Sequence, residues 1–328
     1  MRAATFSFLI IVALAMPSRA FADEPQTPER HLFARALFGA SAGDVDYGLK
    51  GMVTGITVES ELDWPASFLL AGVEVGARGH LSTRRWEASL TFLGSLTGTF
   101  GEITDQDWFG GPTIPRTEVS HTDSPTVGTA LVFDLAARLE MVSLSRAQRP
   151  VAIDLVAGYR HEYYDLDAWG AHGWQMRSPT ERVDLTLPDS FHGSHYQVRL
   201  DVPSVGIGLR ADLGRASIDA DVLALLALSS DTDDHVERHK LGTADGIGAG
   251  VSVALRPRVQ LTAPRSRVGV ALGLDLRLRY LTTAGTLHQR YYGDDPAFMA
   301  TAETPIPDTD YFFRSLLGVG LFTLDVSI

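Results

Sequence analysis

The chain of 328 residues contains no cysteine, so no disulfide braces it and an exported form must be held by its fold alone. Lysine is almost as scarce, with Lys50 and Lys240 the only two. Lys and Arg together number 28 against 40 Asp and Glu, a formal net charge of −12. That acidic balance excludes the electrostatic footprint of a nucleic-acid-binding protein. No stretch of the mature chain approaches 18 uninterrupted apolar residues, which excludes a transmembrane helix. A GxSxG nucleophile elbow is missing. The acidic runs "DTDD", "GDD" and "DTD" lack the spacing of an EF-hand loop. No pattern of histidine ligands suggests zinc, so no metal is expected.

The first 22 residues read as a secretory signal. Arg2 supplies a positive start, "FSFLIIVALAM" (6–16) an apolar core, and Ala20-Phe21-Ala22 a small-x-small cleavage pattern. The expected mature domain is 23–328. Losing Arg2 and Arg19 leaves 26 basic against 40 acidic residues, a net charge of −14. Exported, cysteine-free, lysine-poor and Gly-rich chains fit an outer-membrane β-barrel better than a soluble periplasmic enzyme.

Period-two alternation dominates what is present. Val268, Val270, Leu272, Leu274, Leu276, Leu278 and Tyr280 point one way; Asp275, Arg277, Arg279 and small residues point the other. Residues 151–163 repeat the pattern, with Asp154, Arg160 and Glu162 on the polar face. Residues 131–141 do so again, with Asp134, Arg138 and Glu140. A soluble sandwich buries the apolar face, whereas a membrane barrel turns it to lipid and packs a polar interior. Several strands run about 14–20 residues, well beyond the 5–6 typical of soluble sheets.

The expected architecture is therefore all-β, a ten-stranded antiparallel transmembrane β-barrel extending beyond the outer membrane. Its strands fall near 32–49, 55–79, 84–102, 127–144, 149–166, 194–213, 216–232, 243–260, 266–287 and 311–328. Short turns at 80–83, 145–148, 214–215 and 261–265 belong on the periplasmic side. Longer loops at 103–126, 167–193, 233–242 and 288–310 belong on the exterior, with a modest one near 50–54.

This topology carries two acidic clusters to one rim, "TDQDW" (104–108) after the third strand and "SSDTDDH" (229–235) after the seventh. Taken singly, each aspartate reads as a solvated turn residue. A barrel this narrow, however, lets side chains from opposite walls approach across its mouth.

Here the chain resembles the omptin family of outer-membrane endopeptidases. "TDQDW" is similar to the family's Asp-x-Asp-Trp segment and "SSDTDDH" to its Ser-Asp-x-Asp-x-His segment. "ELDW" (61–64), "AGYR" (157–160) and "RTEVSHTDSP" (116–125) resemble further segments, in the same order. The resemblance implies Asp105, Asp107, Asp233 and His235 as the catalytic set. A carboxylate fixes the tautomer of a histidine and raises its basicity. Two close carboxyls cannot both ionise easily, so one retains a proton to donate. Asp231 falls at the family's acid for a basic substrate side chain, a partner suited to guanidinium; Asp46 is the nearest candidate for the second acid of that pocket, and Glu118 for the adjoining subsite.

The resemblance also implies lipopolysaccharide as an activating lipid and no other cofactor. Of the outer-wall residues, Tyr159 matches the family, while His161 and Tyr163 stand where it has an acid and a base. The partners expected are a peptide or protein with basic residues and the bacterial outer membrane, for a monomer whose active site faces the exterior. Two other classes stay open: an omptin-like barrel that has lost catalysis and acts as an adhesin or structural protein, and an unrelated pore or lipid-modifying barrel.

Overall fold

Long alternating strands leave unpaired backbone at both edges of an open sheet, and closure into a ring removes those edges. The computed structural model describes residues 31–53, 55–98, 101–112, 114–144, 151–262, 268–295 and 300–328. Within them, twelve strands form one antiparallel sheet. They are β1 (His31–Val53), β2 (Ile56–Pro65), β3 (Phe68–Leu81), β4 (Arg84–Ser95), β5 (Glu102–Gly110), β6 (Thr117–Ser143), β7 (Val151–Ser178), β8 (Glu181–Asp212), β9 (Ala216–His235), β10 (Lys240–Gln260), β11 (Gly269–Tyr291) and β12 (Thr309–Ser327). β12 pairs with both β11 and β1, and the sheet closes.

Twelve strands stand where the alternation predicts ten. The expected strand 55–79 is broken at Ala66 and Ser67 into β2 and β3. Pro65 has no N–H to continue a ladder. Across the break the Ser41 hydroxyl donates to the Ala66 carbonyl (2.9 Å) and accepts from the Phe68 N–H (3.2 Å). The expected strand 84–102 stops at Ser95, and the chain re-enters the sheet as β5 after Gly101, whose φ of +145° suits glycine. β1 spans the first break, pairing β3 along its first half and β2 along its second. β6 spans the other, pairing β4 and then β5.

The expected loops are also mostly strand. β5 and much of β6 occupy 103–126. The region 167–193 is the far part of a β7–β8 hairpin that turns at 179–180. Between β9 and β10 stands one 3-10 turn, Val236–Arg238, and β11 continues through 288–291. The expected signal segment, the turn at 145–148 and most of that at 261–265 lie outside the described residues.

Outside, the wall carries a broad apolar belt: Phe38, Val73, Phe92, Ile207, Val222, Leu278 and Phe322 are all more than half exposed. Inside, side chains stack in three tiers, read most simply along β9. Asp219 and Asp221 lie near the Leu81–Arg84 turn, Leu225 and Ala227 in the middle, and Asp231 and Asp233 at the opposite rim, all buried.

The first tier is an ion-pair network. Arg35 bonds Glu74 and Asp325 at 2.7 Å each, Arg277 reaches Asp134 and Asp275 at 2.8 Å each, and Arg256 reaches Asp221 at 2.7 Å. Glu162, fully buried, sits between Arg160 and Arg279. Deleting one partner of such a pair costs about 3–5 kcal/mol, because the other charge is left stranded. Above the charges, Phe68, Tyr164, Leu166, Leu200, Val202, Leu225, Leu281 and Phe313 join one continuous apolar core inside the ring.

Candidate functional site

The rim tier begins with an aromatic floor. Tyr196 is sandwiched between Trp64 and Tyr47, with ring centroids 5.5 and 5.4 Å away, and Tyr311 lies 5.9 Å from Tyr47. Contacts of this kind add about 0.5–1.5 kcal/mol each beyond burial. All four rings are at least 98% buried, so the floor is both stiff and dry.

Strand parity then delivers the acids. Residues two apart on a strand share a face, so Asp105 and Asp107 of β5 both turn inward, leaving Gln106 to the outer wall. "TDQDW" is thus a strand and not the rim loop its turn-like composition suggests. Ser120 of β6, opposite Asp107 in the ladder, donates from Oγ to Asp107 Oδ2 at 2.7 Å. Asp105 stands opposite Leu62 and Thr122, and its Oδ1 is shut off from solvent without a hydrogen-bond partner among the described residues.

On β9 the same parity turns Asp231, Asp233 and His235 inward. Asp233 Oδ1 accepts from the Ser194 hydroxyl of β8 at 2.9 Å. His235 Nε2 lies 2.9 Å from Asp233 Oδ2. The two clusters share one electrostatic environment. Burial, then Asp107, then Asp233 push the Asp105 carboxyl well above the ordinary carboxylate range, and Lys240 and Arg238 ease it only partly. Burial also works against the Asp233 carboxylate, but His235, Lys240 and the Ser194 hydroxyl together outweigh it and hold that group below its usual value. One acid of this mouth is therefore biased to keep a proton and another to lose it.

Lys240 is the neighbour that sequence reasoning missed. It is 91% buried, opposite His235 in the β9–β10 ladder, where it faces Asp233, Asp107 and Asp105. Burial, then Arg238, lower its ammonium pKa against the pull of those acids. Its one sequence signal is scarcity, as one of two lysines in the chain. Ser120, Ser194 and the aromatic floor carry no motif of their own.

Asp231 is 97% buried, and neither carboxylate oxygen has a hydrogen-bond partner among the described residues. Burial raises its pKa well above normal, the nearby Tyr196 opposes this, and Asp245 and Asp233 add to it. The other two candidates do not join the cluster. Asp46 adjoins inward-facing Tyr47 and so points to the outer wall, where its Oδ2 lies 3.4 Å from Arg314 Nε. Glu118 is turned away from Asp107 by a bulge, and its Oε1 meets Gln106 at 2.9 Å and His121 at 3.3 Å.

The strained Asp105 has a measurable signature. A carboxyl whose folded pKa exceeds its unfolded value binds more protons when folded, so stability falls as pH rises through that window. Below the unfolded pKa, roughly 3.9, both states are protonated and the effect vanishes. Asp105→Asn accordingly raises the thermal midpoint at pH 8 by roughly 3 °C or more, with little change at pH 3.5. Equal shifts at both pH values would show that Asp105 is not strained by its charge.

Three comparisons bear on this arrangement. The Omptin family model matches residues 55–246, a span that holds both acidic clusters. The crystal structure of outer membrane protease OmpT from Escherichia coli superposes with a TM-score of 0.63 at 17% identity, covering 92% of this chain and 99% of that one. At that identity the likeness is one of fold. The outer membrane protein OpdK from Pseudomonas aeruginosa aligns over 92% of this chain and 99% of its own, but a TM-score of 0.16 at 8% identity carries no argument. No curated protein sequence matches.

Proposed function

The chain belongs to the omptin family, and from that premise we propose that it is an outer-membrane endopeptidase cleaving next to basic residues through an activated water. One observation carries the reading. The Asp233–His235 pair and the Asp105–Asp107 pair face each other at a single mouth of a closed barrel.

The proposed chemistry follows from the protonation bias. With Asp233 ionised against Nε2, His235 keeps its other nitrogen, Nδ1, as the base. That nitrogen takes a proton from a water lying between the two pairs, and the hydroxide attacks the scissile carbonyl. No covalent enzyme intermediate forms. Asp105 and Asp107 hold the water and share one proton, which passes to the departing amine. Ser120 and Ser194 position the carboxylates, and Lys240 limits the repulsion among three acids. Asp231, buried and with neither carboxylate oxygen hydrogen-bonded among the described residues, receives the guanidinium of a substrate arginine.

In this reading the apolar belt spans the outer membrane, the mouth faces the exterior, the protein works as a monomer, and lipopolysaccharide contacts its outer wall. The deciding experiment incubates refolded protein, with and without lipopolysaccharide, with paired peptides differing only in Arg-Arg or Asn-Asn at one position. The Arg-Arg peptide is expected to be cleaved far faster than the Asn-Asn peptide, with lipopolysaccharide increasing the rate. A well-folded barrel inert towards both would point instead to an adhesin or structural role.

A further inference from the structure

A second cluster of chemistry-bearing side chains lies on the outer wall of the β7–β8 hairpin, behind the mouth. "HGSH" puts His192 and His195 three apart, and on a regular strand that spacing sends them to opposite faces. This strand is not regular. Asp167 pairs with His195, Ala168 with Ser194 and Trp169 with His192, so Gly193 has no opposite number. A bulge of this kind re-aims the side chains beside it. Both imidazoles end on the outer face with Asp165 and Asp167, while Ser194 between them turns inward to Asp233. The spacing that made these histidines look unrelated is what the bulge corrects.

We propose that His192, His195 and Asp167 form a binding site for a divalent transition metal of the zinc type. His192 Nε2 and His195 Nδ1 both lie 2.8 Å from the same atom, Asp167 Oδ1. Asp165, Asp167 and His195 each offer a donor atom within 4.8 Å of the others. Donors around a tetrahedral zinc with bonds of about 2.0 Å lie roughly 3.3 Å apart, so each imidazole nitrogen need draw back from Asp167 Oδ1 by only about 0.5 Å. Imidazole nitrogen with carboxylate oxygen suits zinc or its neighbours, whereas calcium and magnesium favour oxygen alone.

The surroundings fit a metal site as well. The second nitrogen of His195, Nε2, lies 3.5 Å from Asp165 Oδ1, the carboxylate–histidine arrangement that orients a ligating ring. Asp165 is itself held at Oδ2 by Tyr163 Oη (3.0 Å) and Gln197 Nε2 (3.3 Å). Trp169 stacks on the His192 ring at 4.4 Å and 15°, fixing its plane. The three ligand side chains are about 30% exposed, which leaves an ion a path in and a fourth position for water. None of these residues belongs to the proposed catalytic set, so the inference does not rest on the peptidase reading.

The test uses tag-free protein refolded in detergent, with zinc titrated against a chromogenic chelator and cobalt as a spectroscopic probe. Wild type binds one zinc, and cobalt gives the intense visible bands of tetrahedral coordination. His192→Gln/His195→Gln weakens zinc binding at least about 100-fold and abolishes those bands, and Asp165→Asn weakens it about tenfold through the ring it orients. His235→Ala, at the mouth, binds zinc as wild type does. Should the double variant fail to refold, Asp167→Asn replaces it with the same expected loss. No zinc bound by wild type at 100-fold molar excess over protein, or binding lost in His235→Ala and kept in the outer-wall variants, overturns the assignment.

Discussion

Replacing His235 by alanine lowers kcat on an arginine-containing peptide by about a thousandfold or more, while the barrel keeps its heat-modifiable migration on gels. The size follows from removing the imidazole at the mouth that lies 2.9 Å from the buried Asp233 carboxylate. Groups that act as a unit are non-additive. The His235→Ala/Asp233→Asn double variant is therefore no slower than His235→Ala alone, since Asp233 works by setting the state of that ring. Asp233→Asn alone loses less, because the amide oxygen still accepts from Ser194. Residual activity within tenfold of wild type in His235→Ala would mean that another residue activates the water.

Asp231→Asn separates recognition from chemistry. A buried carboxylate without a hydrogen-bond partner is costly to the free protein, and a guanidinium offers two donors in a fork that matches it. The substitution lowers kcat/KM for the arginine peptide by about 100-fold, as expected for one desolvated charge pair. Cleavage of a peptide with a neutral residue there is unchanged. Equal losses on both peptides would place Asp231 in the catalytic step and not in the pocket. The folded protein itself becomes more stable above neutral pH, because a strained acid has been removed.

Much of this molecule is written in its alternation. A period of two over a dozen residues leaves no doubt about faces, and the charges of β6, β7 and β11 lie inside the ring where their spacing puts them. The same rule applied to neighbours puts Asp46 on the outer wall, since inward-facing Tyr47 forces residue 46 outward. Strand ends were harder. Turn-forming residues such as Pro188, Asp189 and Gly193 sit within β8, absorbed by bulges that a one-dimensional pattern takes for a loop. Lys240 was illegible for another reason. A lysine is a surface residue by default, and only the acids brought round by ring closure give this one a buried place.

The apolar tier has a further meaning for whatever barrier this ring sits in. A wide cylinder of strands is a conduit by construction, and one open at both ends would let ions and nutrients run down their gradients. Phe68, Tyr164, Leu166, Leu200, Leu281 and Phe313 fill this one across its width, so the rim and the base are electrically and chemically separate compartments. In a planar bilayer the protein is expected to pass no measurable current, and substitutions that hollow out that layer to turn it into a leak.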